Sequence, residues 1–265
     1  MATLVTFHAH PDDEAIACGG TMARAAAEGH RVVLVVATKG EHGEVEEGFL
    51  APGETLAERR TRETHTAAKV LGVARVEFLG YEDSGMMGTP ENDRPESFWR
   101  ADLQEAASRL AAILTEERAD VLTLYDQNGV YGHPDHIQVH RVGARAAELA
   151  GTPRAYENTV DRDYFLRLMA ENEQVAAEVE EDTSGVDINT LGSPAGAVTT
   201  TVDVTAYLDQ KRRAMAAHAS QISETSFFLA MDADTFVASW GREWFIRRGA
   251  PAGTREEWLL DGDSP

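Results

Sequence analysis

Two short runs hold most of the side chains able to do chemistry. The first is His8-Ala9-His10-Pro11-Asp12-Asp13-Glu14, and the second is Tyr131-Gly132-His133-Pro134-Asp135-His136. Imidazole and carboxylate are suitable zinc ligands, and a catalytic zinc needs three protein ligands with one position left open for water. Together the runs supply that many donors, with spare groups for acid–base work. Taken singly, a His-Pro-Asp segment also reads as a helix start, where Asp caps free amides and Pro suits the first turn. Two such segments, each following a strand, point instead to a shared metal site.

The elements around them explain how they could meet. Leu4 to His8 reads as a first strand, and a helix through Met22, Ala23, Ala26 and Ala27 closes at Gly29. Arg31 to Ala37 (RVVLVVA) is nearly continuous β-branched apolar sequence, as expected of a strand buried on both faces of a parallel sheet. The alternation continues with a helix at Leu56–Leu71, a strand at Val76–Leu79, a helix at Ser97–Arg118 and a strand at Asp120–Tyr125. A helix at Asp135–Leu149 and a strand near Arg154–Glu157 follow. This predicts an α/β fold: a Rossmann-like, doubly wound, mostly parallel sheet. In such sheets ligands bind beyond the carboxyl ends of the strands, where strand order reverses. Both His/Asp runs begin at such ends.

Residues 1–160 form the expected core and residues 161–265 a smaller C-terminal cap that completes the fold and the substrate pocket. The cap is read as an acidic helix from Asp161, a polar loop at Asp182-Thr183-Ser184-Gly185, a strand at Val198–Val204, a helix at Ala206–His218 and a strand at Trp244–Arg247. Composition is that of a globular protein, with 43% hydrophobic and 26% charged residues in 265. Net charge is −21, from 45 acidic and 24 basic side chains. Such a surface repels nucleic-acid phosphates and anionic lipid. The segment Met1–Phe7 is too short and uncharged for a signal peptide, and no stretch has the length and apolarity of a membrane span. With Cys18 the lone cysteine, read as a packing residue, a cytoplasmic protein without disulfides is expected.

His10-Pro11-Asp12-Asp13-Glu14 and His133-Pro134-Asp135-His136 resemble the two signature motifs of the PIG-L or LmbE-like zinc-dependent N-deacetylase family. The likeness extends to Thr38-Lys39-Gly40-Glu41-His42-Gly43-Glu44, Arg60-Thr61-Arg62-Glu63 and Asp83-Ser84-Gly85-Met86, and so spans about the first 160 residues. Members act on N-acetylglucosamine (GlcNAc) joined to phosphatidylinositol or inositol, or cleave mycothiol conjugates, and the bacterial mycothiol-pathway members look most similar. The resemblance implies Zn²⁺ on His10, Asp13 and His136, Asp12 as general base, His133 as electrophilic or acid partner, and Tyr131 as a donor to the developing oxyanion. It implies Glu44, Arg60 and Asp83 as contacts to the sugar or its aglycone. Read without it, Glu44 is a loop solvator, Arg60 an exposed helix residue paired with Glu63, and Asp83 a turn residue before Ser84-Gly85.

The expected activity is removal of an N-acetyl group from a GlcNAc-containing small molecule. The alternatives are an amidase for thiol conjugates of the mycothiol type and a zinc-binding homologue without catalysis. A homo-oligomer is compatible with the sequence, and Fe²⁺ suits a similar donor set. Two His and one carboxylate also form the facial triad of non-haem iron oxygenases, but the βαβ alternation argues against their usual all-β scaffolds. No Gly-x-Ser-x-Gly elbow of a serine hydrolase occurs. Of the remaining histidines, His8 is expected beneath the site. His218 could reach the site from the cap, though a structural role is the plainer reading. His30, His42, His65 and His140 read as surface or structural residues. Trp240, Trp244 and Trp258 read as core of the tail in preference to a sugar platform.

Overall fold

A computed structural model of the chain describes residues 1–172, 175–176 and 187–261. Strands β1 (Thr3–His8), β2 (Arg31–Val36), β3 (Arg75–Phe78), β4 (Val121–Tyr125), β5 (Arg154–Thr159), β6 (Thr200–Asp203) and β7 (Arg242–Arg247) form one sheet in the order β3-β2-β1-β4-β5-β7-β6. The first five are mutually parallel, and β7 runs antiparallel to both β5 and β6. The α/β expectation therefore holds, with the tail adding its two strands to one edge of the same sheet.

The strands read as apolar runs because helices cover both faces. Along β1, Leu4 belongs to one buried cluster while Val5 and Phe7 belong to the other. On the first face lie α1 (Asp13–Ala27), α2 (Leu56–Leu71) and, from the tail, α7 (Leu208–Ala217). On the second lie α3 (Leu103–Glu117) and α5 (Pro134–Ala150), which bury Leu110, Leu114, Val139 and Val142. Each such aliphatic side chain contributes about 1.5–3 kcal/mol on burial.

Several boundaries differ from the sequence reading. The helix expected from Ser97 starts at Leu103, because Asp102 caps it by accepting from the Glu105 amide, and Phe98–Arg100 forms a separate 3-10 turn. The tail also holds α6 (Arg162–Glu171), α8 (Phe227–Ala230) and α9 (Ala233–Trp240), of which the last two were not anticipated. The Asp182-Thr183-Ser184-Gly185 loop lies outside the described residues. Trp244 and Trp258 are buried, and Trp240 packs its ring near Phe228 and Phe236, so the tryptophans serve the tail's core.

Strand order reverses between β1 and β4, which are neighbours in register Leu4↔Val121. The loop after β1 leads into α1, and the loop after β4 leads through the short turn α4 (Gly129–Gly132) into α5. The crevice at this switch point thus receives both His/Asp runs.

Helix α1 is broken at Cys18, whose φ is −143°. The Gly20 and Thr21 amides donate to the two carboxylate oxygens of Glu243 on β7, at 2.9 and 2.7 Å. Lys211 of α7, itself buried, pairs with Glu243 at 2.5 Å and donates to the Ile16 carbonyl at 2.8 Å. The break therefore exposes backbone donors that the tail satisfies.

Candidate metal centre

His10, Asp12 and Asp13 follow β1, and His133, Asp135 and His136 open α5. Asp13 stands between two imidazoles, with Oδ2 3.5 Å from His10 Nδ1 and Oδ1 3.4 Å from His136 Nε2. Its Oδ2 also accepts from the His10 amide at 2.8 Å. Two further groupings bring donor atoms within 4.8 Å of one another: His10, His133 and His136, and His10, Asp83 and Asp135. Both share His10.

The His136 ring is buried, yet neither nitrogen has a hydrogen-bond partner. A polar ring left this way costs free energy unless something satisfies it. The Tyr125 ring stacks on it at 4.5 Å between centroids and fixes its plane. His10 is arranged differently. Its Nε2 lies 3.1 Å from Asp135 Oδ2, which leaves Nδ1 on the Asp13 side. A histidine whose second nitrogen donates to a carboxylate is the usual support for a metal ligand, because that bond fixes tautomer and orientation. Asp135 is held in turn by the Ser84 amide at 2.9 Å and by a very short bond from the Ser84 hydroxyl.

Electrostatics favour a cation here. Burial alone would pull the His10 pKa down, but Asp83 and the hydrogen bonds with Asp13, Asp135 and Asp83 raise it well above the ordinary value. Burial works against the Asp13 carboxylate, yet His136 and His10 hold its pKa well below the usual range. The field that keeps a proton on His10 would equally favour a divalent metal ion. The donor set, with an orphaned buried imidazole beside a carboxylate, fits such an ion.

Asp12 is the N-cap residue of α1 but makes no side-chain cap, so helix capping does not account for it. Its φ of 105° is strained for a residue with a Cβ. Burial lifts its carboxyl to about 6, against the opposing pull of the Arg60 guanidinium. Arg60 Nη2 sits 3.2 Å from Asp12 Oδ2 and donates to the Pro11 carbonyl at 2.5 Å, while Nη1 donates to the Gly40 carbonyl at 3.0 Å. A Cβ at Gly40 would fall 2.1 Å from Arg60 Nη1, so only glycine lets the guanidinium reach the loop.

His133 is the N-cap of α5. Its Nδ1 accepts from the Asp135 amide at 3.1 Å, which puts the remaining ring proton on Nε2. Burial, then the neighbouring His10 and His136, keep its pKa far below normal, so the ring is neutral. The Tyr131 ring lies 4.9 Å from His136 and 6.2 Å from His133, centroid to centroid. Burial and then Asp13 raise its phenol pKa, so it stays protonated. Tyr131 is presented by a turn in which Val130 has φ 66°. Buried Asp126 pins that turn, accepting from the Val130 amide at 2.9 Å and the Thr159 hydroxyl at 2.5 Å.

The expected substrate contacts fall in different places. Asp83 is buried 3.5 Å from His10, with its carboxylate accepting from the His42 and Gly85 amides. Glu44 is exposed, and its carbonyl accepts from Gln221 at 2.9 Å. Arg60 directs Nη2 to Pro11 and Asp12 and Nη1 to Gly40, and its buried Nε has no hydrogen-bond partner. His8 is buried beneath the site, bonded to the Tyr125 hydroxyl at 2.8 Å. His218 stays one residue back from the centre, bonded to Glu14 at 2.7 Å. Sequence reading assigned no role to Asp135, Glu14 or Asp126. Asp135 was findable, since it lies inside the His-Pro-Asp-His run.

The model of the PIG-L family, described as GlcNAc-PI de-N-acetylase, matches residues 5–147, more than half of the chain. The chain belongs to the PIG-L family. A relative from Catenulispora acidiphila, 1D-myo-inositol 2-acetamido-2-deoxy-α-D-glucopyranoside deacetylase 1, is 45% identical over 276 residues, covering 95% of this chain and 85% of the relative. The fold is shared with the N,N′-diacetylchitobiose deacetylase of Pyrococcus horikoshii, at TM-score 0.56 and 21% identity over 92% of this chain and 83% of that one. It is also shared with the 4-carboxy-2-hydroxymuconate hydratase of Pseudomonas putida, at TM-score 0.57 and 19% identity over 95% and 98%. The PIG-L match contains both His/Asp runs and ends before the tail. Among the described residues no helix is long and apolar enough to cross a membrane.

Proposed function

We propose that this chain is a zinc-dependent hydrolase that removes the acetyl group from N-acetylglucosamine linked to myo-inositol, the substrate for which its Catenulispora relative is named. The observation that carries the mechanism is the placement of Asp13 between His10 and a buried His136 ring whose nitrogens have no hydrogen-bond partner. These three residues would hold the metal, Zn²⁺ by preference, with Fe²⁺ an acceptable occupant.

A divalent metal held there would polarise the acetamide carbonyl and make water nucleophilic near neutral pH. Asp12 takes the proton from the attacking water. A carboxyl lifted to about 6 is matched to that task, since an effective base titrates near the working pH. Arg60 holds the Asp12 loop and keeps the carboxylate from rising further. As the carbonyl carbon becomes tetrahedral its oxygen gains charge, and His133 Nε2–H and the Tyr131 hydroxyl donate to it. The departing sugar nitrogen receives the proton that Asp12 has just acquired. Acetate and the free amino sugar leave. Asp83 and Glu44 are the groups that would meet the sugar and its aglycone, and Gln221 of the tail reaches the Glu44 carbonyl.

The test is a panel of amides offered to the zinc-loaded protein, with free amine as readout: GlcNAc-inositol, GlcNAc-phosphatidylinositol, N,N′-diacetylchitobiose and a mycothiol-type thioether. Turnover of GlcNAc-inositol well above the others is expected. Preference for the thioether would make the protein an amidase of conjugates, and no turnover of any amide would refute the hydrolase assignment.

A further inference from the structure

The first and last parts of the chain meet at a buried pair. Glu14, in the first turn of α1, and His218, just past the end of α7, are both wholly buried. His218 Nε2 meets Glu14 Oε1 at 2.7 Å, although the two residues are 204 positions apart. The other carboxylate oxygen, Glu14 Oε2, accepts from the Asp12 backbone amide at 3.0 Å. That amide belongs to the one residue of the loop with φ of 105°.

The His218 side is anchored by hydrogen bonds. Its carbonyl accepts from the Gln221 and Ile222 amides at 2.9 and 2.8 Å. The next turn is tied to α2, where Glu63 accepts from the Ser220 amide at 3.0 Å and the Ser220 hydroxyl at 2.6 Å. A backbone in an unfavourable conformation persists only when its surroundings over-determine it. Here the constraint acts on both edges of one peptide unit, the Pro11–Asp12 bond: Arg60 grips its carbonyl and Glu14 grips its amide, which fixes the plane from which the Asp12 φ of 105° is set. Without His218, the Glu14 carboxylate would be buried with one oxygen unsatisfied and free to turn toward other donors.

We propose that His218 is a positioning residue: acting through Glu14, it holds the Asp12 backbone in the conformation that aims the Asp12 carboxylate into the site. The inference rests on the reading of Asp12 as the base. It makes the tail, outside the region matched by the family, a working part of the catalytic loop.

The experiment compares the wild type with His218→Leu, His218→Gln, Glu14→Gln and Asp12→Asn. Each is measured for kcat, KM, bound metal and amide hydrogen exchange in the peptide spanning residues 8–17. A displacement near 1 Å in a loop that carries a reacting group can cost about a hundredfold in rate. His218→Leu should therefore lose about ten- to a hundredfold in kcat, with KM and metal content near wild type and faster exchange around residue 12. His218→Gln, whose amide can still donate to Glu14, should recover most of the loss. If His218→Leu does not fold, Glu14→Gln takes its place, because one amide oxygen cannot accept both bonds that Glu14 accepts. Unchanged kcat in a folded, metal-loaded variant overturns the proposal, as does lost activity with unchanged exchange at residue 12. The Asp12→Asn arm separates the two readings. Full turnover there removes Asp12 as the base, whereas a dead Asp12→Asn beside a fully active His218→Leu removes only the positioning role.

Discussion

Asp12 and Asp13 are neighbours in the chain with opposite surroundings, so replacing them should produce opposite defects. Asp12→Asn is nearly isosteric. Its side-chain oxygen can still accept from Arg60, now 3.2 Å away, and the Glu14 bond to its amide is untouched. Fold and metal content should therefore remain. What disappears is the proton acceptor, and loss of a general base costs about 10²–10⁴ in rate. At about 1.36 kcal/mol per factor of ten, this raises the barrier by about 2.7–5.4 kcal/mol. Asp13→Ala removes the oxygens 3.5 Å from His10 and 3.4 Å from His136, together with the acceptor of the His10 amide. Losing a supporting residue behind a ligand commonly weakens metal binding by about 10–100-fold, so losing a ligand should weaken it at least as much. Added zinc should restore part of the Asp13→Ala activity and none of that of Asp12→Asn. The assay pairs metal content by elemental analysis with release of free amine from GlcNAc-inositol. Should Asp12→Asn empty the site while Asp13→Ala leaves it full, the two roles are exchanged. Should both keep full turnover, the loop has no catalytic part and the reasoning fails.

Tyr131→Phe should retain metal and lose about 10²–10³ in kcat, the usual effect of deleting one oxyanion donor, and steady-state kinetics will show whether KM stays fixed. Metal removal should lower the unfolding temperature reversibly, because an ion at a thousand times its Kd stabilises the native state by about 4 kcal/mol; calorimetry with and without chelator reads this. Glu243→Gln should destabilise the protein by about 3–5 kcal/mol in urea titration, since it leaves the Lys211 ammonium buried without its counter-charge. The double variant Lys211→Met/Glu243→Gln should recover much of that loss, and simple additivity of the two single changes would argue against a coupled pair.

What was legible in the sequence follows from how local each signal is. The βαβ start was readable because Val32 to Val36 are buried on both faces and so form an unbroken apolar run. The meeting of the two His/Asp runs was readable because each is contiguous and leaves a strand end at the same switch point. Phe98 and Trp99 extended the expected start of α3, because apolar residues before a cap look like helix until Asp102 is seen to stop it. The tail resisted reading for a different reason. Glu243 matters because it meets Gly20 and Thr21, more than 220 positions away, and no periodicity encodes that. The same holds for His218 with Glu14 and for Ser84 with Asp135.

The hydratase that shares this fold shows why the chemistry must be argued from the site. Hydration and amide hydrolysis both open with water attacking an unsaturated carbon, and a base beside a cation serves either. They part at the next step, because hydrolysis must hold charge on the carbonyl oxygen and deliver a proton to a departing nitrogen. In the mechanism proposed above, a neutral His133 with its proton on Nε2 and a protonated Tyr131 would answer the first need, and Asp12, once protonated, the second. All of these lie within residues 5–147, the part matched by the family. Three contacts reach this part from outside it: His218 on Glu14, Ser220 on Glu63, Gln221 on the Glu44 carbonyl. Two of these three touch segments proposed to border the sugar, namely the helix that carries Arg60 and the loop that carries Glu44. The division of labour is thus physical. In the proposed mechanism the reacting groups all come from the matched core, and the tail reaches Glu14, α2 and the Glu44 loop.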